Sequence, residues 1–226
     1  MASVGTSKYD SDGRFYKPVL YEDSSGNKYV PIVDSDAHTQ VDVLAITAGD
    51  NRIGTVSGTM VSVSRAKAID ASIGAYAAGD VVNDDDCCTT ATAWTFANVV
   101  RANGAAGIIT SALLFNETPN ITPRLELHLY NALPTGELMD NSKSNAPYPA
   151  DLNTWIGKIP FPALDNDASQ AGASTAEATP STTGRLAKWF KCASDNRSIY
   201  GILKTLDAFT QVATNDIKIT LNVDQY

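Results

Sequence analysis

The sequence predicts an all-β fold: an antiparallel β-sandwich, jelly-roll-like, preceded by an N-terminal hairpin or arm. Three observations carry this. Arg124–Tyr130 alternates strictly, with Leu125, Leu127 and Leu129 on one face and Glu126, His128 and Tyr130 on the other. Asp216–Asp224 repeats the pattern with Ile217, Ile219, Leu221 and Val223. Such alternation marks a strand with one buried and one wet face. Helical periodicity is scarce: only Ala150–Trp155 suits a short helical turn, and Asn153 and Thr154 are poor helix formers.

The elements follow in chain order. Residues 1–55 read as an N-terminal arm and hairpin. Lys17–Tyr21 and Lys28–Val33 flank Asp23-Ser-Ser-Gly-Asn27, two short apolar runs around a turn. The segment carries Phe15, Tyr16, Tyr21 and Tyr29 but too few residues for its own core, so it must dock on the body or on a partner. Asp34–Asp42 links it onward. Residues 56–226 form the β-sandwich domain. Its further strands are expected at Thr59–Arg65, Ala75–Val82, Thr95–Arg101, Gly107–Phe115, Trp155–Pro160, Ala187–Cys192 and Ser198–Leu206. Each is bounded by Gly, Pro, Asn, Asp or Ser, and many are rich in β-branched and aromatic residues. Many short strands with turns between them fit a sandwich or jelly roll. Periodicity does not choose between jelly-roll and immunoglobulin-like connectivity. Residues 165–184 are of low complexity, dominated by Ala, Ser and Thr with no large apolar side chain. They read as a surface loop, or as an arm that orders against a neighbouring subunit.

Composition narrows the function classes. The chain has 226 residues, 43% of them hydrophobic and 19% charged, with a formal net charge of −8. The apolar share is that of a globular protein, not of a disordered chain. No apolar run approaches the roughly 18 residues of a membrane helix, and no membrane partner is expected. Net acidity argues against nucleic acid as a partner, because such proteins neutralise phosphates with clustered Lys and Arg. Cys87, Cys88 and Cys192 are odd in number, two of them adjacent. They match neither a disulfide framework nor zinc-ligand spacing. The N-terminal residues have no apolar stretch of the signal-peptide kind, so synthesis and assembly in a cytoplasm are expected. The sequons at Asn116, Asn120 and Asn196 then carry little meaning.

No catalytic set stands out, and none is expected. His38 and His128 are the only histidines. His128 lies on the polar side of a strand, where a solvated or hydrogen-bonded role fits best. There is no Gly-x-Ser-x-Gly elbow, P-loop or dinucleotide fingerprint. Carboxylates cluster at Asp10/Asp12, Asp84–Asp86 and Asp165/Asp167, and read as solvated turns, with no metal or cofactor expected. Trp94, Trp155 and Trp189 suit core packing, although exposed aromatics can also form a sugar platform.

Several segments together resemble a family of tailed-phage virion structural proteins. They are Ser72–Val82, Trp94–Gly104, Pro123–Ala132, Trp155–Pro162 and Ser198–Leu203 running on to the C-terminal strand, with Arg14–Val19 similar as well. The resemblance covers roughly Thr59–Tyr226. It implies a non-enzymatic virion protein, similar to capsid decoration or cement proteins that stabilise a lattice of the major capsid protein. The implied location is the capsid surface, after assembly in the host bacterial cytoplasm. A homo-oligomer is expected, with a trimer as the guess from lattice symmetry. Phe15, Tyr16, Tyr21 and Tyr29 are the expected partner-binding residues, because aromatics dominate interface hot spots. The alternative is a head-fibre or tail-associated attachment protein that binds surface carbohydrate through an exposed tryptophan. An enzyme such as a depolymerase would need a pair of carboxylates facing across a cleft.

Overall fold

The computed structural model describes residues 60–69, 75–85, 90–165, 172–181, 185–212 and 214–226, together with four two-residue strands nearer the N-terminus. The chain divides into two units, Met1–Val56 and Ser57–Tyr226. In the first, β1 (Lys8–Tyr9) pairs antiparallel with β2 (Phe15–Tyr16), and β3 (Tyr21–Glu22) with β4 (Lys28–Tyr29). Tyr21 lies opposite Tyr29 and Glu22 opposite Lys28, which places a strand pair around the Ser-Gly-Asn segment.

The second unit contains β5 (Met60–Ala68), β6 (Ala75–Tyr76), β7 (Trp94–Phe96), β8 (Ala106–Asn116), β9 (Arg124–Tyr130) and β10 (Trp155–Ala163). These are followed by β11 (Ser174–Ala178), β12 (Lys188–Lys191), β13 (Ile199–Thr205), β14 (Phe209–Thr210) and β15 (Asp216–Gln225). The Ala150–Trp155 segment gives only a 3₁₀ turn, Pro149–Asp151. The expected strands at Ala75–Val82 and Thr95–Arg101 shorten to Ala75–Tyr76 and Trp94–Phe96.

Two sheets form the body. One runs β11-β8-β15-β5, with β12 also pairing to β8; the other runs β10-β9-β13-β7. Every pairing within them is antiparallel. The chain passes from β5 in the first sheet to β7 in the second, back to β8, and over to β9 and β10. It then returns to β11, crosses to β13 and ends in β15. This shuttling between sheets is jelly-roll connectivity, and it settles the choice that alternation leaves open.

The core lies between the sheets. Leu125, Leu127, Leu129, Trp94, Phe96, Ile159 and Leu203 face Ile109, Leu114, Ile217, Ile219, Leu221 and Val223, all buried. Each such side chain contributes on the order of 1.5–3 kcal/mol by leaving water. Gly201 is required on β13, because a Cβ there would sit 2.7 Å from the Leu127 Cδ1.

The low-complexity segment departs from expectation. Part of it, Ser174–Ala178, is strand β11, an edge lane paired along β8 from Asn116 to Ala112. Ser174, Ala176 and Ala178 point inward and are buried, while Thr175 and Glu177 point out. The alternation is there, but it is written in small residues. Residues 166–171 and 182–184 lie outside the described residues.

Candidate interaction face

The two sheets have different outer surfaces. On the four-stranded sheet the outward side chains of β9 are Glu126, His128 and Tyr130. Alternation predicts that they are wet, but all three are buried, at 3%, 2% and 0% exposure. The segment 131–154 packs over the Tyr130 end of this row. Tyr130 and Ile202 pack with Val81 and Ala146, with Leu138 and Trp155 against the cluster. Backbone bonds staple this cover to Val81, from Val81 N to the Ser142 carbonyl and from Asn141 N to the Val81 carbonyl. The buried Asp151 carboxylate closes the cover on itself by accepting from Thr135 N, Thr135 Oγ1 and Gly136 N.

Beside this cover lies an ion cluster centred on the buried Glu126 and His128. Register places Lys158 of β10 opposite His128, and Lys204 of β13 opposite Glu126. A bulge between Trp155 and Gly157, whose φ is +132°, shifts the register just ahead of Lys158. The Glu126 carboxylate accepts from Lys158 Nζ at 2.5 Å, Lys204 Nζ at 3.2 Å and His128 Nε2 at 2.8 Å. Burial alone would raise the Glu126 pKa, but these three hydrogen bonds outweigh it and hold the carboxyl well below its usual range. Burial holds His128 below its ordinary value against the pull of Glu126, and Lys204 and Lys158 push the same way as burial. His128 Nδ1, Tyr130 OH and Trp155 Nε1 are buried without a hydrogen-bond partner among the described residues.

The outer side of the five-stranded sheet has no such cover among the described residues. Among the described residues nine large apolar side chains are exposed, and five of them, Met60, Leu113, Phe115, Trp189 and Tyr226, point from this one surface. Trp189 and Tyr226 stack with ring centroids 5.6 Å apart and planes 21° from parallel. They occupy one end of the sheet, and Leu113 and Phe115 the other. Between them lies a flat belt of short polar side chains. Ser62 Oγ donates to Asn222 Oδ1, Asn222 Nδ2 donates to Ser111 Oγ, and Ser64 Oγ meets Thr220 Oγ1 at 2.8 Å. Short side chains already bonded to one another lose little entropy on contact. Exposed apolar groups rimmed by polar ones mark interaction surfaces.

The other sequence-predicted residues fall as follows. Phe15, Tyr16, Tyr21 and Tyr29 sit on β2, β3 and β4, and their side chains lie outside the described residues. The three tryptophans split: Trp94 is core, Trp155 is half-buried beside the ion cluster, and Trp189 is 65% exposed. His128 takes the hydrogen-bonded role, with Glu126, and is sheltered from solvent. Asp84 pairs with the buried Lys67, whose ammonium also donates to Asn83 Oδ1 and the Thr92 carbonyl. Cys192 is free and buried, and burial pushes its thiol up to about 11. Asp10, Asp12, Asp86, Asp167, His38, Cys87 and Cys88 lie outside the described residues.

Sequence reasoning missed the exposed sheet face, yet β8 carried a signal for it. Ala106–Asn116 is apolar in both phases at Ile108-Ile109 and Leu113-Leu114-Phe115. That is the pattern of a strand covered on both sides.

No protein-family model matches the chain, and no curated protein matches it. The solved "Structure of a marine algae virus of the order Picornavirales" contains a chain similar to this one at 13% identity. The match covers 92% of this chain and 91% of that one, with a TM-score of 0.25.

Proposed function

We propose that this chain is a non-enzymatic phage virion structural protein, a capsid decoration protein that stabilises the lattice of the major capsid protein at the capsid surface. The observation that carries the reading is the jelly-roll body with one outer surface sealed and the other left apolar at both ends. Jelly rolls recur in viral capsid and lectin domains, and a protein that works by contact area needs such a surface. The segments that resemble tailed-phage virion proteins point the same way. Within the described residues, His128 is buried against Glu126 and presents no base to solvent. In this reading the N-terminal unit grips the shell through Phe15, Tyr16, Tyr21 and Tyr29.

The test adds purified chain to capsids that lack it. Stoichiometric binding and a gain in the thermal and mechanical endurance of the particle are expected, with binding weakened by serine at those four aromatic positions. Failure to bind such capsids, with the chain found at the tail, overturns the reading.

One observation favours a second reading, a head-fibre or tail-associated protein that binds surface carbohydrate. Trp189 and Tyr226 form an exposed stacked pair of the kind on which a sugar face can lie. Binding on a glycan array that is lost in Trp189→Ala supports it, and a silent array removes it.

A further inference from the structure

We propose that the bare outer face of the five-stranded sheet is a two-fold contact between copies of this chain. Four observations lead there. The sequence of β8 is that of a strand covered on both sides, yet Leu113 and Phe115 are each 42% exposed. The face is also large enough. Four lanes about 4.8 Å apart and about ten residues long at roughly 3.4 Å each give about 650 Å². Two such faces reach about 1,300 Å², within the roughly 1,200–2,000 Å² of stable interfaces. The chain as a whole carries −8, but this face mixes its signs, with Lys191 and Lys218 against Glu177, Asp216 and Asp224. Along the β15 lane, Lys218 and Asp224 set opposite charges on either side of the centre of the face.

The fourth observation is the order of residues along the lanes. One row across the sheet reads Met60, Asp224, Ile108, Trp189; another, at the far end, reads Ala66, Lys218, Phe115, Thr175. A two-fold axis that lies in the face and crosses the strands between Asn222 and Thr220 keeps each lane over itself and exchanges these rows. Asp224 then lies over the partner's Lys218, Ile108 over the partner's Phe115, and Met60 over the small side chain of the partner's Ala66. Each pairing occurs twice, as an isologous contact requires. Packed sheets rotate by about 30°, an offset that the length of the lysine side chain spans. The contact is two-fold, so the trimer expected from lattice symmetry would need a different surface. The dimer takes up the apolar face that the proposed function also draws on and leaves shell docking to the N-terminal unit; because it is measured on the free protein, the two readings fail separately.

The test is a sedimentation measurement of mass, by analytical ultracentrifugation of the full chain across a concentration series. The wild type should form a dimer. Lys218→Asp and Asp224→Lys should each weaken it by about tenfold or more, since like charges brought together cost more than the roughly 1.4 kcal/mol of a tenfold change. The combined variant Lys218→Asp/Asp224→Lys should recover most of the affinity, and that recovery also shows that the reversed side chains leave the fold intact. A wild type that stays monomeric at every soluble concentration overturns the proposal. So does a dimer indifferent to both single reversals, or a combined variant that fails to recover. A monomer whose Trp189 and Phe115 are needed only for binding shells or glycans also overturns it, and assigns the face to that occupant.

Discussion

The two outer surfaces of the sandwich start from similar strands and end differently. β9 and β15 both alternate apolar with polar, and both bury their apolar phase in the same core. The polar phase of β9, Glu126-His128-Tyr130, is buried: segment 131–154 covers Tyr130, while Lys158, Lys204 and Trp155 flank Glu126 and His128. The polar phase of β15, Lys218-Thr220-Asn222-Asp224, stays open. The strand pattern fixes which side faces the core, but what happens on the other side is decided by segments far from the strand. A sealed surface invests in internal electrostatics, and an open one remains available for association.

Breaking the seal has the largest expected effect. Glu126→Ala strands Lys158, Lys204 and His128 without their shared carboxylate. Because Lys158 and Lys204 still reach solvent, the loss is that of the hydrogen bonds left unmade, about 1–3 kcal/mol, measurable by urea denaturation. A loss under about 1 kcal/mol would mean that the cover admits water freely.

Acid sharpens the comparison. His128 is held below its ordinary 6.5, so the unfolded chain binds that proton first and stability falls as pH drops through 6.5 toward the folded value. Glu126 is held below its ordinary 4.5, so a second loss begins as pH falls through 4.5. Both losses belong to the sealed side. Equilibrium unfolding from pH 8 to 4 should show the first decline in the wild type and lack it in His128→Gln.

Smaller effects follow. Tyr130→Phe removes a buried hydroxyl that has no partner among the described residues, so stability should stay within about 1 kcal/mol of the wild type. On the open side, Trp189→Ser and Phe115→Ser should leave the unfolding free energy of the monomer within about 0.5 kcal/mol, as for ordinary surface positions. A larger loss at either site would mean that these side chains pack within the monomer.

The same contrast shows what was legible beforehand. The inward Leu125, Leu127, Leu129, Ile217, Ile219, Leu221 and Val223 announced themselves, because strict alternation leaves one assignment. Sheet connectivity did not, because alternation says nothing about which strand is the neighbour. β11 was hidden because an edge lane built on Ser174, Ala176 and Ala178 buries too little apolar surface to stand out. The burial of Tyr130 was invisible, since its cover is irregular chain with no period to read. The open face was half-legible. Ile108, Leu113 and Phe115 sit in the phase that β8 should have kept polar, but no strand pattern says whether cover comes from within the chain or from another copy.

The most direct test of the sealed-and-open account is hydroxyl-radical footprinting of the full chain, dilute and then concentrated. Met60, Phe115, Trp189 and Tyr226 should lose reactivity on association, while the exposed cover residues Leu133, Tyr148 and Leu152 keep theirs. Protection at Leu133, Tyr148 and Leu152 with the sheet-face residues unchanged would contradict it.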